Sequence, residues 1–406
     1  MKKQKLQTLK GFRDFLPEEM IARQWLLDLV RSVFESWGYD PLETPTLESL
    51  DLFAGQIGED EKLFFSFKDQ GGRQVALRYD QTVPLCRVAA QYGQQLPMPF
   101  RRYQIQSAFR AEKPQKGRYR EFLQCDADIL GETSPIADAE TIAVGLDVYR
   151  KAGFEQVVAK INDRALLKDL PYEAVVAIDK LAKIGEEGVL KEMEQKGIEL
   201  VKARAYLKTV RNLKPNERLE IILSYLKKTG FDEDWFEFDP TIARSFAYSD
   251  GPIWEIKVPG FSAGSVLGGE RYDGLTKAIS GVDIAGTGFG LGFDRTLEAA
   301  QQFDLVPKRL TTTKALLVLM TDVYVDNALE LADKLRQNAI NVEIFPSFKV
   351  KLGKQFKYAD KKGIGYVLVL GEEEIKQNKV TLRDMKEGEQ TMLNIVELII
   401  KLKADK

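Results

Sequence analysis

"FRAEKPQKGRYREF", residues 109–122, is a basic segment set between two runs of alternating residues. Alternating residues lead into it from Arg101 and "RYQIQSAF" (102–109), and "FLQCDADIL" (122–130) leads away. Two strand patterns around a Pro114- and Gly117-punctuated basic segment predict a long antiparallel hairpin with a wide loop. The loop carries Lys116, Arg118 and Arg120. One reading is a solvated hairpin loop. The other is a clamp for a polyphosphate, because a planar guanidinium donates two parallel hydrogen bonds to phosphate oxygens. On an antiparallel strand Arg110 and Glu112 would point to one face, offering a cation to a phosphate and a carboxylate to an amine.

The rest of the chain bounds these readings. Its 406 residues are enough for two or three domains with a sizeable core. A formal charge of -2 argues against a globally electropositive nucleic-acid binder, so any such binding must be local. Cys86 and Cys125 lie far apart without a C-x-x-C pair, which suits a reducing cytosol rather than a disulfide framework or zinc site. The opening "MKKQKLQTLKGFRDFLPEEM" turns acidic before any signal-peptide-like apolar run, and no apolar run approaches a membrane span. A cytoplasmic globular protein is expected. The chain contains no histidine. Mechanisms with histidine as general base, metal ligand or phosphocarrier are thereby excluded. Arginines, lysines, carboxylates, hydroxyls and backbone must do the work.

Along the chain, apolar spacing predicts a helix over 19–38 ending at Gly38. "GYDPLETPTLESLDLF" is a strand broken by Pro41 and Pro45, fit for an edge or an interface. "QVALRYDQTVPLCRVAA" predicts strand, turn and helix, and residues 136–152 a helix. From 166 to about 228 the texture becomes charged and helical, an inserted module. Strand texture returns at "IARSFAYSDGPIWEIKV" and "SAGSVLGGERYDGL", then comes the glycine-rich "GTGFGLGFDR" (286–295) at a strand-to-helix junction. That junction lacks the Lys-Ser/Thr of a P-loop and the spacing of a dinucleotide fingerprint. Arg244 and Arg271, read singly, are structural salt-bridging arginines. "VPKRLTTT" (306–313) suits a linker. Beyond it strands at "KALLVLM", "NVEIFP" and "GYVLVLG" alternate with helices, predicting a small α/β domain.

The order of these pieces carries a resemblance. "GFRDFLP", "YDPLETPTLE", "LRYDQTVP", "FRAEKPQKGRYREFLQCDADILG", "GGERYDGL" and "GFGLGFDRTL" resemble a class II aminoacyl-tRNA synthetase, of the histidyl-tRNA synthetase family. "LGKQFKYADKKGIGYVLVLGEEEIKQNKVTLRDMKEGEQ" resembles that family's anticodon-binding domain. The resemblance implies an α+β catalytic domain on a mixed, mainly antiparallel sheet (1–163 and 236–305), a helical insertion (164–235), a linker (306–313) and a C-terminal α/β anticodon-binding domain (314–406). It implies ATP-dependent attachment of histidine to its tRNA through an adenylate, a homodimer formed through the strand at Pro45, and Mg²⁺ accompanying ATP. Arg110 would hold the α-phosphate, Glu112 the adenine amine, and Arg118 and Arg295 the outer phosphates. Arg244 would stabilise charge at the α-phosphate during attack. Asp80, Thr82, Gln124, Asp128, Tyr248 and Tyr272 would receive the amino acid; no residue is expected to ligate a metal. Adenylate formation suits a histidine-free chain, since a carboxylate is already a nucleophile at neutral pH.

Residues 306–406 hold 18 Lys/Arg against 14 Asp/Glu, a net of +4 that leaves -6 on the remainder. Lys349, Lys351, Lys354, Lys357, Lys361 and Lys362 form the expected phosphate track for tRNA, or else a solvated helix face. The chain departs from the family's Arg-Gly-Leu-Asp-Tyr-Tyr-Thr-Gly pattern by reading "RSFAYSDG", with Ala247, Ser249 and Asp250 at altered positions. Glu270 replaces a glycine in "GGERYDGL". Asp128, Asp250 and Glu270 are therefore candidate carboxylate acceptors for an imidazole. Two alternatives stay open: a synthetase-like regulatory subunit of ATP phosphoribosyltransferase, against which residues 314–406 argue, and a ligase for another amino acid.

Overall fold

The computed structural model describes residues 6–55, 63–114, 118–243 and 249–404. The chain divides into two compact units, Met1–Asp14 with Leu26–Val306, and Phe15–Trp25 with Pro307–Lys406. The border falls inside the first helix, α1 (Pro17–Ser36).

The first unit holds strands β1 (Asp40–Pro41), β2 (Leu47–Ser49), β3 (Ser66–Lys68), β4 (Gln74–Leu77), β5 (Phe100–Phe109) and β6 (Glu121–Leu130). It continues with β7 (Val158–Asp163), β8 (Phe236–Phe238), β9 (Pro252–Lys257), β10 (Leu267–Arg271) and β11 (Gly286–Gly292). Eight of them form one sheet in the order β1-β5-β6-β11-β10-β9-β7-β8, and β2-β4-β3 form a second. The central pairs are antiparallel, while β1 joins β5 and β8 joins β7 in parallel. The sheet is mixed and mainly antiparallel.

Its spine is the β5–β6 hairpin, paired from Phe100↔Leu130 to Phe109↔Glu121. Alternation sets the two faces of this ribbon apart. One carries Tyr103, Ile105, Cys125, Ala127 and Ile129 and packs beneath α3 (Pro135–Ala152) and α9 (Phe293–Gln302). The other carries Arg102, Gln104 and Gln106 opposite Asp128, Asp126 and Gln124, a polar row that is nonetheless largely buried. A buried polar row on a strand is costly unless its members satisfy one another, so this face marks the place to look for a site. Helix α3 is apolar nearly all round, as burial demands; Ser134 Oγ caps its start and Gly153 ends it at φ 90. Helices α2 (Thr82–Tyr92) and α8 (Leu275–Ser280) pack on the opposite face, against Phe100, Leu130 and Tyr272.

Between β7 and β8 run α4 (Tyr172–Ile178), α5 (Leu181–Gln195), α6 (Leu200–Arg211) and α7 (Glu217–Lys228). Residues of α4, α5 and α6 share a core of their own, with Ala174, Ile178, Val189, Met193, Leu207 and Val210 buried.

The second unit has strands β12 (Ala315–Val318), β13 (Val342–Ile344), β14 (Tyr366–Val369), β15 (Val380–Asp384) and β16 (Gln390–Leu393), in the order β13-β12-β14-β15-β16. Helices α10 (Val325–Gln337), α11 (Leu352–Lys362), α12 (Glu372–Gln377) and α13 (Ile395–Ala404) pack with them. The first three strands are parallel, as the alternation predicts. The antiparallel hairpin β15–β16 and helix α13 go beyond that expectation. "VTLRDMKEGEQTML" is short, charged and poor in β-branched residues, so its strand signal is weak until β14 supplies a paired edge. No helix among the described residues is long and apolar enough to cross a membrane.

Candidate active site

A cavity of about 390 Å³ opens over the polar face of the β6–β11–β10 region. Arg110, Glu112, Arg118 and Arg295 line it, as do Asp80, Thr82, Gln124, Asp128, Glu270 and Tyr272. Register separates these groups along the strands. Gln124 pairs with Gly292, close to Arg295, whereas Asp128 pairs with Gly288, which pairs in turn with Glu270. Four residues of strand are about 13 Å, so the cavity has a cationic and an acidic end.

At the cationic end β5 stops at Phe109. Arg110 and Glu112 are therefore loop residues, and the expectation that one strand face presents both is replaced by a loop that brings both to one cavity. The loop is tied rather than loose: Arg110 N donates to Arg120 O at 2.9 Å and Ala111 N to Leu63 O at 2.8 Å. The Arg110 guanidinium lies 4.3 Å from the Tyr79 ring centre and 5.1 Å from that of Phe122. Arg118 Nη1 lies 3.2 Å from Glu112 Oε2. Arg295, in the first turn of α9, donates from Nη1 to Ser265 O at 3.0 Å. Among the described residues no carboxylate forms an ion pair with Arg110 or Arg295. Burial, then the positive fields of Arg118 and Arg110, hold the Arg295 guanidinium below its ordinary pKa. Three guanidiniums gathered at one end of a cavity make a receptor for a polyanion.

The basic loop divides its labour. Arg120 turns to the N-terminal segment: its N donates to Gly11 O at 3.0 Å, its Nη1 to Lys10 O at 3.4 Å and its Nε to Glu112 O at 3.0 Å. Arg13 completes this strap, with Nη2 2.9 Å from Asp294 Oδ1 and its guanidinium 3.3 Å from the centre of the Tyr119 ring. Lys116 lies outside the described residues.

At the acidic end every carboxylate has a defined place. Asp80 Oδ1 accepts from Val83 N at 3.1 Å, fixing the start of α2. Burial raises the Asp80 pKa, and the charge of Glu270 adds to the rise. Asp128 accepts from Tyr272 OH at Oδ1 (2.5 Å), and its Oδ2 is 2.7 Å from Arg102 Nη2, all within the buried interior. Burial pushes the Asp128 carboxyl up while the Arg102 guanidinium pulls it back. Gln124 Nε2 donates to Asp126 Oδ2 at 3.0 Å. Ser249 Oγ donates to Glu270 Oε2. Asp250, by contrast, is exposed and accepts from Gly274 N at 2.9 Å. The expectation of an imidazole acceptor at Asp250 is therefore corrected: its carboxylate anchors a turn and does not line the cavity. Arg271 is structural, as its single reading held; it is buried between Asp138 (2.8 Å) and Asp273 (2.8 Å). Arg244, Ala247 and Tyr248 lie outside the described residues.

The glycines of "GTGFGLG" cradle side chains. A Cβ at Gly288 would stand 2.0 Å from Asp128 Oδ1, one at Gly290 2.8 Å from Gln124 Nε2, and one at Gly286 2.3 Å from a Tyr272 ring carbon. Glycine at these positions lets β6 and Tyr272 lay their polar groups flat over β11.

Arg102, Asp126, Gly288 and Asp179 belong to this site and were not singled out from sequence. The hairpin contains the missing signal. Once Phe109 is paired with Glu121, counting back places Arg102 opposite Asp128. Asp179, at the end of α4, reaches the cavity from the helical insertion and accepts from Ala243 N at 3.1 Å. Local pattern gives no hint of that approach.

Comparison with known proteins bears on what the cavity is for. The profile of the family described as "Histidyl-tRNA synthetase" matches residues 11–195 and 186–296, and that described as "Anticodon binding domain" matches 314–405. A protein named "Histidine--tRNA ligase" from Christiangramia forsetii is 36% identical, over 96% of this chain and 98% of its own. One of the same name from Helicobacter hepaticus is 37% identical, over 94% and 95%. The crystal structure of histidyl-tRNA synthetase from Nostoc sp. PCC 7120 superposes with a TM-score of 0.87 at 28% identity, covering 100% of both chains.

Proposed function

This chain belongs to the histidyl-tRNA synthetase family, and from that membership we propose that it joins histidine to tRNA at the expense of ATP. The observation that carries the reading is the polarity of one cavity, with Arg110, Arg118 and Arg295 at one end and Asp80, Asp128 and Glu270 at the other. A polyphosphate and an amino acid with a cationic head need opposite ends of a single pocket if they are to react with each other.

The histidine carboxylate attacks the α-phosphorus of ATP. The bond from that phosphorus to the α,β-bridging oxygen breaks, and pyrophosphate departs with the electron pair. Arg110 holds the α-phosphate, Arg118 and Arg295 the outer phosphates, and Glu112 the adenine amine. Asp80, Thr82, Gln124 and Asp128 hold the amino acid's ammonium and side chain, with Tyr272 fixing Asp128. Arg244 meets the charge that develops at the α-phosphate, and Tyr248 is assigned with the residues that receive the amino acid. No proton has to be removed from the nucleophile, so positioning and charge neutralisation suffice. The acyl group then passes to a terminal ribose hydroxyl of tRNA, and AMP leaves. ATP enters as its magnesium complex; among the described residues no cluster of three Asp, Glu or Cys side chains offers a site for the ion on its own.

Residues 1–163 and 236–305 form the catalytic domain, 164–235 an insertion, 306–313 a linker and 314–406 the anticodon-binding domain. In the last, Lys349, Lys351, Lys354, Lys357 and Lys361 are exposed and fit a phosphate track. Lys362 is drawn off by Glu343 at 2.7 Å. A homodimer fits the outer edge of the sheet, where β1 and the Pro45 segment border a groove with Leu42, Val88, Tyr92 and Leu96. The protein works in the cytoplasm. The regulatory-subunit alternative is not favoured, because full-length relatives are named ligases and residues 314–405 match an anticodon-binding domain. Pyrophosphate exchange measured with each amino acid in turn tests the proposal. Exchange with histidine is expected, and exchange driven by a different amino acid refutes it.

A further inference from the structure

The segment "GFRDFLP" (11–17) carries part of the family resemblance, yet the proposed reaction gives its Arg13 no task. Arg13 belongs to the same compact unit as the cavity. Its side chain, 25% exposed, touches two parts of the chain that are far apart in sequence. The guanidinium lies over the Tyr119 ring, 3.3 Å from its centre, and Nη2 is 2.9 Å from Asp294 Oδ1. A guanidinium is flat, so its face can rest on a ring while its edge donates to a carboxylate.

Each of these contacts stands one residue from an arginine assigned to phosphate. Tyr119 follows Arg118 in the hairpin loop, and Asp294 precedes Arg295 in the first turn of α9. All four line the cavity. Arg118 and Arg295 enter it from separate walls, and like charges push such walls apart. Glu112 meets Arg118 at 3.2 Å, but the Arg118 charge remains, after burial, the largest cause of the lowered Arg295 pKa. Arg13 opposes this push, because it binds one group on each wall.

The base from which Arg13 reaches is itself fixed. Phe12 N donates to Leu9 O at 3.0 Å, and the Phe12 ring meets that of Phe65 edge-on at 6.0 Å between centres. A Cβ at Gly11, where φ is 91, would stand 2.8 Å from Arg120 Cγ, so strap and loop lie in close contact. Arg13 is not among the residues lining the cavity. Whatever it does for the nucleotide it does through its neighbours.

We propose that Arg13 is a positioning residue for the outer phosphates of ATP: by bridging Tyr119 and Asp294 it keeps Arg118 and Arg295 facing one cavity before the nucleotide arrives. The inference rests on the reading that Arg118 and Arg295 grip those phosphates. It predicts that Arg13 matters for the triphosphate and not for the adenosine or the amino acid.

The test compares KM for ATP in histidine-dependent pyrophosphate exchange with the inhibition constant of a sulfamoyl analogue of histidyl-adenylate. That analogue carries the adenosine and the histidyl group but no β- or γ-phosphate. Arg13→Ala should raise KM for ATP about tenfold, the order expected of a small misplacement of binding groups, and leave the inhibition constant and KM for histidine unchanged. Arg13→Lys keeps a charge beside Asp294 and loses the flat face on Tyr119. It should raise KM for ATP by a smaller factor, and it decides the matter should Arg13→Ala not fold. In the double variant Arg13→Ala/Arg118→Ala, the rise should fall short of the product of the single effects, because Arg13 acts in part through Arg118. A wild-type KM for ATP in every Arg13 variant that folds overturns the inference. Equal weakening of ATP and of the analogue does so too, since it marks a general prop, as do fully multiplicative effects in the double variant. A wild-type KM for ATP in Arg118→Ala would instead overturn the assignment of Arg118 to phosphate.

Discussion

The two ends of the cavity are built in opposite ways. The cationic end hangs on a loop and the first turn of a helix, and its arginines lean on aromatic rings and carbonyl oxygens. The acidic end is laid across four neighbouring strands, with Asp128 held from both sides by Arg102 and Tyr272. Phosphate is a large, symmetric anion that adaptable guanidiniums can grip from several directions. A small side chain must be told from others of similar size, which calls for acceptors fixed by packing and register. The end proposed for the nucleotide thus rests on a hydrogen-bonded loop and a helix turn, and the end proposed for the amino acid on the register of the sheet.

The largest effect expected from this contrast is on stability at the acidic end. Arg102→Met leaves Asp128 buried without its counter-charge, which costs about 3–5 kcal/mol. Urea unfolding reads this directly. A loss under about 1 kcal/mol would mean that the acidic end is not prearranged by its ion pair. Arg110→Ala should behave in the opposite manner, with adenylation about 10²–10³ slower, or roughly 3–4 kcal/mol, and the melting temperature kept. If Arg110→Ala unfolds earlier than it slows, the cationic end is a structural prop.

Gly288→Ala sharpens the comparison, since the added methyl would enter the space of Asp128. Overpacking of about 1–3 kcal/mol is expected, with KM for histidine raised and KM for ATP unchanged. Equal rises in both would erase the distinction between the ends. The smallest effect concerns Asp126. Burial raises its carboxyl pKa; Arg102 opposes the rise and the Asp128 charge adds to it. A carboxyl whose folded pKa is raised contributes stability fully present below the ordinary range near 4 and lost as pH climbs through the folded value. Asp126→Asn should lack that descent, so its stability relative to wild type should grow from about pH 4 upward. Parallel unfolding profiles for the two proteins would show that Asp126 ionises as it would in water.

Local pattern made much of this molecule legible. The hairpin, the Pro-broken edge strand, the helical insertion and the parallel start of the second unit all follow from alternation, helical spacing and breakers. The order of motifs gave the family, and with it Arg110, Arg118, Arg295, Gln124 and Asp128 as one group, which the cavity brings together. What stayed hidden depends on register and on partners distant in the chain. Arg102 is an ordinary strand arginine until it is counted across the hairpin to Asp128. Asp250 looked like a pocket acid because its sequence neighbours are pocket residues, yet a turn two dozen residues away takes its carboxylate. The glycines of "GTGFGLG" fit neither a P-loop nor a dinucleotide fingerprint, and their reason lies on β6 and Tyr272.

The strap formed by Lys10, Gly11 and Arg13 has a consequence for how the protein is made. Arg13 leaves the ribosome 281 residues ahead of its partner Asp294, and Lys10 110 residues ahead of Arg120. At a synthesis rate of roughly 5–20 residues per second, Arg13 waits at least ten seconds or so for its partner. The Arg13 side of the strap thus cannot form on a nascent chain that stops short of α9. Tying Arg13 to α9 makes the finished strap a report that the first unit has been translated as far as that helix.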